Sequence, residues 1–381
     1  MKQRRFITDK YSGGIHEEYD NVDNIYYNIY IPGTNGSDKF ASFISTNTEP
    51  LLRDVHKYYV TVVKFSIPTD AIPMFIFKIQ TNQADINLGV YSFSMSDGVN
   101  TLQQFLEFYP VVTVGKIPTS PVGSSQELIP YYYIYDVFHF IQIMNTALQT
   151  LFTNFSIAFG LPPGLTDAPY IIYSNVTKTI TIIVQKAFIT SGFLLYADDI
   201  LFQFFIGFQT IFNGYNAPLG TVFQFNFVLQ PNDDNFYYPD GVVSPPSEFL
   251  QYTQQQSALE YWVSFKSIIF ATSLIPIQGE YYPTTNTVLS SEDNSGIRNT
   301  YKILIDFTPD FQDGFYGQIL NYYATNYRLI NLLSHGDLRK IDLQVFWADK
   351  ENHLFPFIIG SQGQLSIKLL FVRKSLYLYS N

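Results

Sequence analysis

The sequence predicts a mostly β protein, and three observations carry that prediction. Short runs rich in β-branched and aromatic residues recur between clusters of Pro, Gly, Asn and Asp, which is the pattern of a sandwich or barrel rather than of alternating βαβ units. Aromatic residues make up 18% of the chain and charged residues only 14%, so disorder is excluded, since it needs few rings and many charges. No internal period of the kind that builds solenoids or propellers runs through the 381 residues.

Taken in order, the candidate strands lie at 25–31, 58–67, 74–79, 89–95, 170–173, 179–185, 222–229, 261–270, 301–307, 341–347 and 364–371. In the second of these, Tyr59, Thr61, Val63, Phe65 and Ile67 alternate with Val60, Val62, Lys64 and Ser66, which sends one set to a core and the other to solvent or a neighbour. Two segments break the period of two. Asp136 precedes Val137, Ile141, Met144, Leu148 and Leu151, a spacing that puts all five on one helical face with Asp136 as N-cap. Asp198 or Asp199 precedes Leu201, Phe204, Phe205, Phe208 and Phe212, a short helix or a buried strand. Pro- and Gly-rich stretches over 98–130 and 231–246 read as long loops, and loops of that length mark functional surfaces or domain crossings. The expected organisation is a discontinuous sandwich of residues 1–95 and 258–381 with residues 96–257 as a largely β insertion domain, and one or two short helices in all.

Chemistry is harder to find. With no Cys there is no disulfide scaffold, thiolate metal site or Cys nucleophile. His16, His56, His139, His335 and His353 form no metal-ligand spacing, and His139 reads as a helix-surface or partly buried residue. Asp198–Asp199, Asp233–Asp234 and Glu292–Asp293 are adjacent carboxylates of the kind common in solvated turns; Asp20, Asn21, Asp23 and Asn24 lack the rest of a calcium loop. No phosphate-cradling or nucleophile-elbow motif occurs. Glu280 is the best single acid for a glycosidase working with a second carboxylate, and it reads far more readily as a strand-end or turn residue. No catalytic residue, metal or cofactor is expected. The basic start, MKQRRFITDK, leads into YSGGIHEEYD without an apolar core, so no signal peptide is expected. The apolar stretch over 200–212 is interrupted by Gln203, Gly207 and Gln209, so no membrane span is expected either.

Two basic spots stand out on a chain of net charge −10. Lys2, Arg4 and Arg5 read as an arm that could touch phosphates, or as a solubilising terminus. Lys368, Arg373 and Lys374 read as outward charges of the last strand. The rings need their own account. Tyr58 and Tyr59, the triplet Tyr131, Tyr132 and Tyr133, and further Tyr pairs at 26–27, 237–238, 281–282 and 322–323 place successive rings on opposite faces of a strand. One core cannot absorb both faces. Rings with few charges around them suit protein interfaces, whose centres are poor in Lys, Glu and Asp. Stacking on a ligand is the competing use, and basic residues are not interleaved with these rings in the sequence.

Several stretches resemble known proteins. KYYVTVVKFSIPTDAIPMF from Lys57 resembles an early jelly-roll strand of small icosahedral capsid proteins. PYYYIYDVFHFIQIMNTALQTLF, with Asn145 and Ala147 inside it, resembles the aromatic lead and helix of minor capsid proteins from virophages and polinton-like elements. APYIIYSNVTKTITIIV, LLYADDILFQFFIGF, YWVSFKSIIFATSLIPIQGEYYP and YKILIDFTP follow in that family's order. LQVFWADKENHLFPFIIGSQGQLSIKLLFVRK looks like the terminal jelly-roll hairpin, with Trp347 before its turn and Lys368 in its last strand. Together they cover most of the chain and are similar to the penton, or vertex, capsid proteins of Sputnik-like virophages.

That resemblance implies an all-β fold with a single jelly-roll sandwich and an outer insertion domain. It also implies a homo-pentamer at an icosahedral vertex of the virion, assembled inside the host cell beside the major capsid protein; viral DNA is the partner that the charge of the Lys2, Arg4 and Arg5 arm suggests. It supplies no catalytic residues. Tyr58, Tyr59, Tyr131, Tyr132, Tyr133 and Trp347 are the expected intersubunit aromatics. The alternative function is a β-sandwich carbohydrate-binding or host-attachment protein on a particle surface.

Overall fold

The computed structural model describes residues 24–33, 39–79, 90–110, 131–212, 222–228, 249–257, 263–279, 302–308, 319–350 and 353–374. It divides into two compact units. The first carries the described residues up to Ile72 and from Phe265 onward, and the second carries those from Pro73 to Ser264. The expected break after residue 95 therefore falls at Ile72, and the expected return at residue 258 falls at Phe265. Buried Phe75, Phe77, Val90, Tyr91, Phe93 and Met95 explain the shift, because they pack in the second unit's core.

The chain enters the first unit with β1 (Asn24–Pro32), β2 (Lys39–Phe40), β3 (Ser42–Thr46) and β4 (Tyr58–Pro68). The second unit follows with β5 (Phe75–Lys78), β6 (Ser92–Ser96), β7 (Thr101–Phe105), β8 (Tyr131–Ile134), α1 (Val137–Phe159), β9 (Tyr170–Ser174) and β10 (Thr179–Gln185). It continues through α2 (Lys186–Thr190), β11 (Leu194–Asp198), α3 (Asp199–Phe202), β12 (Thr210–Phe212), β13 (Val222–Phe225) and β14 (Phe249–Thr253). The chain then returns to the first unit for β15 (Phe265–Thr272), β16 (Lys302–Phe307), β17 (Ile319–Tyr323) and β18 (Ile330–Asn331). It ends with β19 (Lys340–Asp349), β20 (Leu354–Pro356), β21 (Ile358–Ile359) and β22 (Gln364–Arg373).

The first unit is a jelly-roll sandwich of two antiparallel sheets. One sheet has the order β1-β22-β4-β17 with β18 also on β4; the other has the order β16-β15-β19-β20 with β3 on β19. The first described strand lies against the last, in unbroken register from Asn24 opposite Val372 to Pro32 opposite Gln364. The backbones close in beside it, where the Gly33 N–H donates to the Gly363 carbonyl at 2.8 Å. A Cβ on Gly33 would come within 2.0 Å of the Gly360 carbonyl oxygen, so no larger residue fits there without backbone movement. Between the sheets, the Phe65 ring from β4 meets Phe270 at 4.7 Å and Phe307 at 5.4 Å.

The alternation expected for β4 is interrupted. Opposite β22, Lys64 pairs with Lys368 but Val62 pairs with Leu369, so Val63 is an extra residue in β4. A bulge of this kind exchanges the two faces. Phe65 and Ile67 are buried on one side of it and Val60 and Val62 on the other, which a strict period of two cannot produce.

The second unit is built around α1. The Asp136 carboxylate accepts from the Phe138 N–H at 3.0 Å, as its N-cap position predicts. The helix runs to Phe159 rather than stopping near Leu151, and with 23 residues it is not short. Phe152 and Phe155 continue its buried face, and Gly160, at φ +79°, ends it in the left-handed region. Asn145 fastens the helix to β9 with both amide atoms, accepting from the Ile171 N–H at 2.7 Å and donating to the Ile171 carbonyl at 2.8 Å. Where a short helix or a buried strand was expected after Asp198, the short helix α3 forms; the strand that comes later, β12, is not buried, with Ile211 46% exposed. The sheets here run β12-β13-β11-β6-β7 and β14-β10-β9, with β5 and β8 as a separate pair.

Candidate functional site

No cluster of reactive side chains appears among the described residues, and no group of three or more His, Asp or Glu could hold a metal ion there. Of the carboxylates singled out by sequence, Asp198 serves the fold. Asp198 caps α3 by accepting from the Leu201 N–H at 2.7 Å, and its other oxygen accepts from the Ser92 hydroxyl at 2.9 Å. Burial pushes its pKa up to about 6 against those hydrogen bonds. Asp342 shows the opposite balance in the first unit. Burial pushes its pKa up, but hydrogen bonds from Ser273, Thr272 and the Leu274 N–H outweigh burial and hold it below the ordinary carboxylate value.

The four described histidines are held in contacts of the fold. His139 is buried on α1 with its Nε2 at 2.8 Å from the Tyr109 carbonyl. Burial lowers its pKa, partly offset by that bond. His56 and His335 meet in a tilted arrangement with ring centroids 4.5 Å apart, and His353 meets the Asp349 carboxylate at 2.8 Å. Neither pairing was visible in the sequence. A cleft of about 300 Å³ in the second unit is walled by Gly207, Phe208, Gln209, Asn226, Tyr252 and others, with no His, Asp, Glu, Lys or Arg in its lining. Its two hydroxyl-bearing residues are engaged in the fold: the Tyr252 hydroxyl donates to the Val228 carbonyl at 3.0 Å, and the Thr253 and Thr181 hydroxyls share a hydrogen bond at 2.8 Å. Glu280 and the pairs Asp233–Asp234 and Glu292–Asp293 lie outside the described residues, as do His16, Asp20, Asn21 and Asp23.

The predicted aromatic set divides. Trp347 is 1% exposed, stacked on Phe355 at 4.3 Å, and Tyr133 is also buried. Both belong to the interior of their own unit, so they are removed from the rings that a neighbour could touch. They were misassigned because an aromatic residue in a strand gives no sign of which face is covered. Tyr132 is half-buried and stacks on Phe108 at 4.2 Å. Tyr58 and Tyr59 are half-buried at the start of β4, with the Lys374 ammonium 5.2 Å from the Tyr59 ring centroid. Tyr131 is described only as a strand residue paired with Lys78, and Lys2, Arg4 and Arg5 lie outside the described residues.

The rings that do face outward are different ones. Tyr26, Tyr30 and Tyr323 are 52%, 59% and 66% exposed, all on the β1-β22-β4-β17 sheet. The Tyr pairs at 26–27 and 322–323 stand out in the sequence, but the lysines beside them do not. Lys368 lies 4.7 Å from the Tyr26 ring centroid and Lys64 lies 6.0 Å from that of Tyr323. Only the sheet register brings them together.

The described residues define a protein of the jelly-roll class, a sandwich carrying an inserted aromatic-cored unit. The chain matches the family described as Sputnik minor capsid protein V18/19 over residues 25–373 and belongs to that family. Among its relatives, Structural protein V19 of Sputnik virophage is 32% identical over 215 residues, which is 54% of this chain and 95% of that protein. Protein V18 of the same virophage is 37% identical over 156 residues, 39% of this chain and 90% of that protein. A chain in the 3.5 Å cryo-EM structure of the Sputnik virophage is 31% identical, superimposes with a TM-score of 0.69, and is matched over 93% of this chain and 99% of its own length. The mavirus penton protein has the same fold at 15% identity, with a TM-score of 0.59 over 92% of this chain and 99% of its own. The protein is thus a structural component of a virion capsid, not an enzyme.

Proposed function

We propose that this protein is the subunit of a homo-pentameric capsid vertex, with the sandwich of the first unit standing in the shell and packing against the major capsid protein. One observation carries the reading. The described chain holds one two-sheet sandwich, closed by β1 against β22 and accompanied in the first unit by the small β2-β21 pair, and its remaining strands belong to a separate inserted unit. A single sandwich per chain suits the five-fold position, and the shared fold of the mavirus penton protein supports this. A ring closed by head-to-tail packing needs complementary patches on two flanks of one subunit. Tyr58, Tyr59 and Tyr132, half-buried in the isolated chain, supply rings for such patches.

Negative-stain class averages of the purified protein test the reading. Five-fold rings are expected; two-fold or six-fold particles contradict it. The Lys2, Arg4 and Arg5 arm is assigned to viral DNA on its charge. Deleting residues 1–5 is expected to flatten the salt dependence of DNA binding by about 0.9 for each phosphate that the arm neutralises. An unchanged slope rejects that assignment.

A further inference from the structure

The outer face of the β1-β22-β4-β17 sheet has a composition that neither its fold nor its packing requires. Lys64 and Lys368 stand directly opposite one another on adjacent strands, and like charges in that position destabilise a sheet. Nothing on the sheet neutralises them: β1, β4, β17, β18 and β22 contain no Asp or Glu, on a chain that has 32 acidic residues. Neither lysine makes an ion pair among the described residues.

Register extends the pattern across four strands. Asn28, Lys368, Lys64 and Tyr323 form one row, and the next row on the same face is Tyr30, Ser366, Ser66 and Asn321. The result is a flat grid of ammonium groups, hydroxyls, amides and phenol rings, with three rings more than half exposed. The interleaving of basic residues with rings that the linear sequence lacks is therefore present in space.

The geometry points to this face as a binding surface for a single nucleic-acid strand, with phosphates on Lys64 and Lys368 and bases stacked on Tyr26, Tyr30 and Tyr323. Two arguments favour a nucleic acid over an acidic protein. Lysine is depleted from the centres of protein interfaces, yet here the two lysines occupy the middle strands. Exposed rings beside a basic track are what sequence-tolerant strand binding uses, because every base has a π-face. The inference uses the capsid role only to place nucleic acid near the protein, and it holds whatever the subunit number.

The test uses the full chain and a fluorescein-labelled oligo-thymidylate, with anisotropy followed as salt is raised. Lys64→Gln combined with Lys368→Gln is expected to flatten the slope of log K against log salt by about 1.4, two phosphates at about 0.7 each. Tyr323→Ala is expected to weaken binding about tenfold with the slope unchanged. In the wild-type chain, the oligonucleotide should shield Lys64 and Lys368 from acetylation, read by mass spectrometry without any variant. Three results overturn the proposal: no binding by folded wild-type protein at low salt, an unaltered slope in the double variant, or shielding of both lysines by poly-glutamate but not by the oligonucleotide. The last would make the face a site for an acidic protein. Ring symmetry, which tests the vertex reading, is measured separately, so the two can fail independently.

Discussion

The core of the second unit and one sheet face of the first use the same aromatic surplus in opposite ways. In the second unit, rings are consumed by the interior: Phe75, Phe140 and Phe204 meet one another at 4.7 to 5.0 Å, inside a core that also buries Phe77, Tyr91, Phe93, Phe205 and Phe225. On the first unit's β1-β22-β4-β17 sheet, Tyr26, Tyr30 and Tyr323 face outward beside lysines. Phenylalanine has nothing to offer water, whereas tyrosine joins an apolar ring to a polar tip. Composition alone therefore overstates the rings available to a partner, because a large share of the phenylalanines stabilise the inserted unit.

The sharpest way to break this comparison is to truncate one ring in each place. Phe140→Ala should destabilise the second unit by about 3 to 5 kcal/mol, whereas Tyr323→Ala should change stability by no more than about 0.5 kcal/mol. Chemical denaturation of the two variants checks both, and equal losses would erase the distinction.

Buried carboxylates sharpen it further, because their pH responses have opposite signs. The folded-state pKa of Asp198 is raised from 3.8 to about 6, so its contribution is fully present below 3.8 and is lost as pH rises through about 6. Asp198→Asn keeps a capping oxygen and should therefore stabilise the second unit by about 2 kcal/mol at neutral pH, with the gain vanishing below about pH 4. Asp342 is depressed, so its contribution to the first unit is present above the ordinary carboxylate value and is lost as pH falls through its own lower one. Melting curves of Asp198→Asn and Asp342→Asn across acid and neutral pH should diverge in those directions. The smallest effect belongs to the helix cap: Asp136→Ala should cost about 1 kcal/mol, read as a lower denaturation midpoint.

Local chemistry made much of this fold legible in the sequence. The run expected at 179–185 is β10 to the residue, since Ile180, Ile182, Ile183 and Val184 supply a buried strand that a turn precedes. The cap at Asp136 was legible for the same reason. The helix extends to Phe159 because Phe152 and Phe155 keep its spacing, a signal that was present but not followed far enough. Strands β3, β7 and β17 were missed because Ser, Thr, Gln and Asn dilute their apolar pattern. The Val63 bulge and the Lys64–Lys368 juxtaposition were beyond reach, as both depend on pairing between strands from opposite ends of the chain. For the same reason the sequence does not distinguish Tyr26, Tyr30 and Tyr323, the most exposed rings among the described residues, from Trp347 and Tyr133, which the fold buries.

The central claim is that this chain completes its surface only by closing a ring with its own copies. Native mass spectrometry of the purified protein tests it most directly. A dominant species of five 43.8 kDa subunits is predicted, and a single subunit mass that persists as concentration is raised would contradict it.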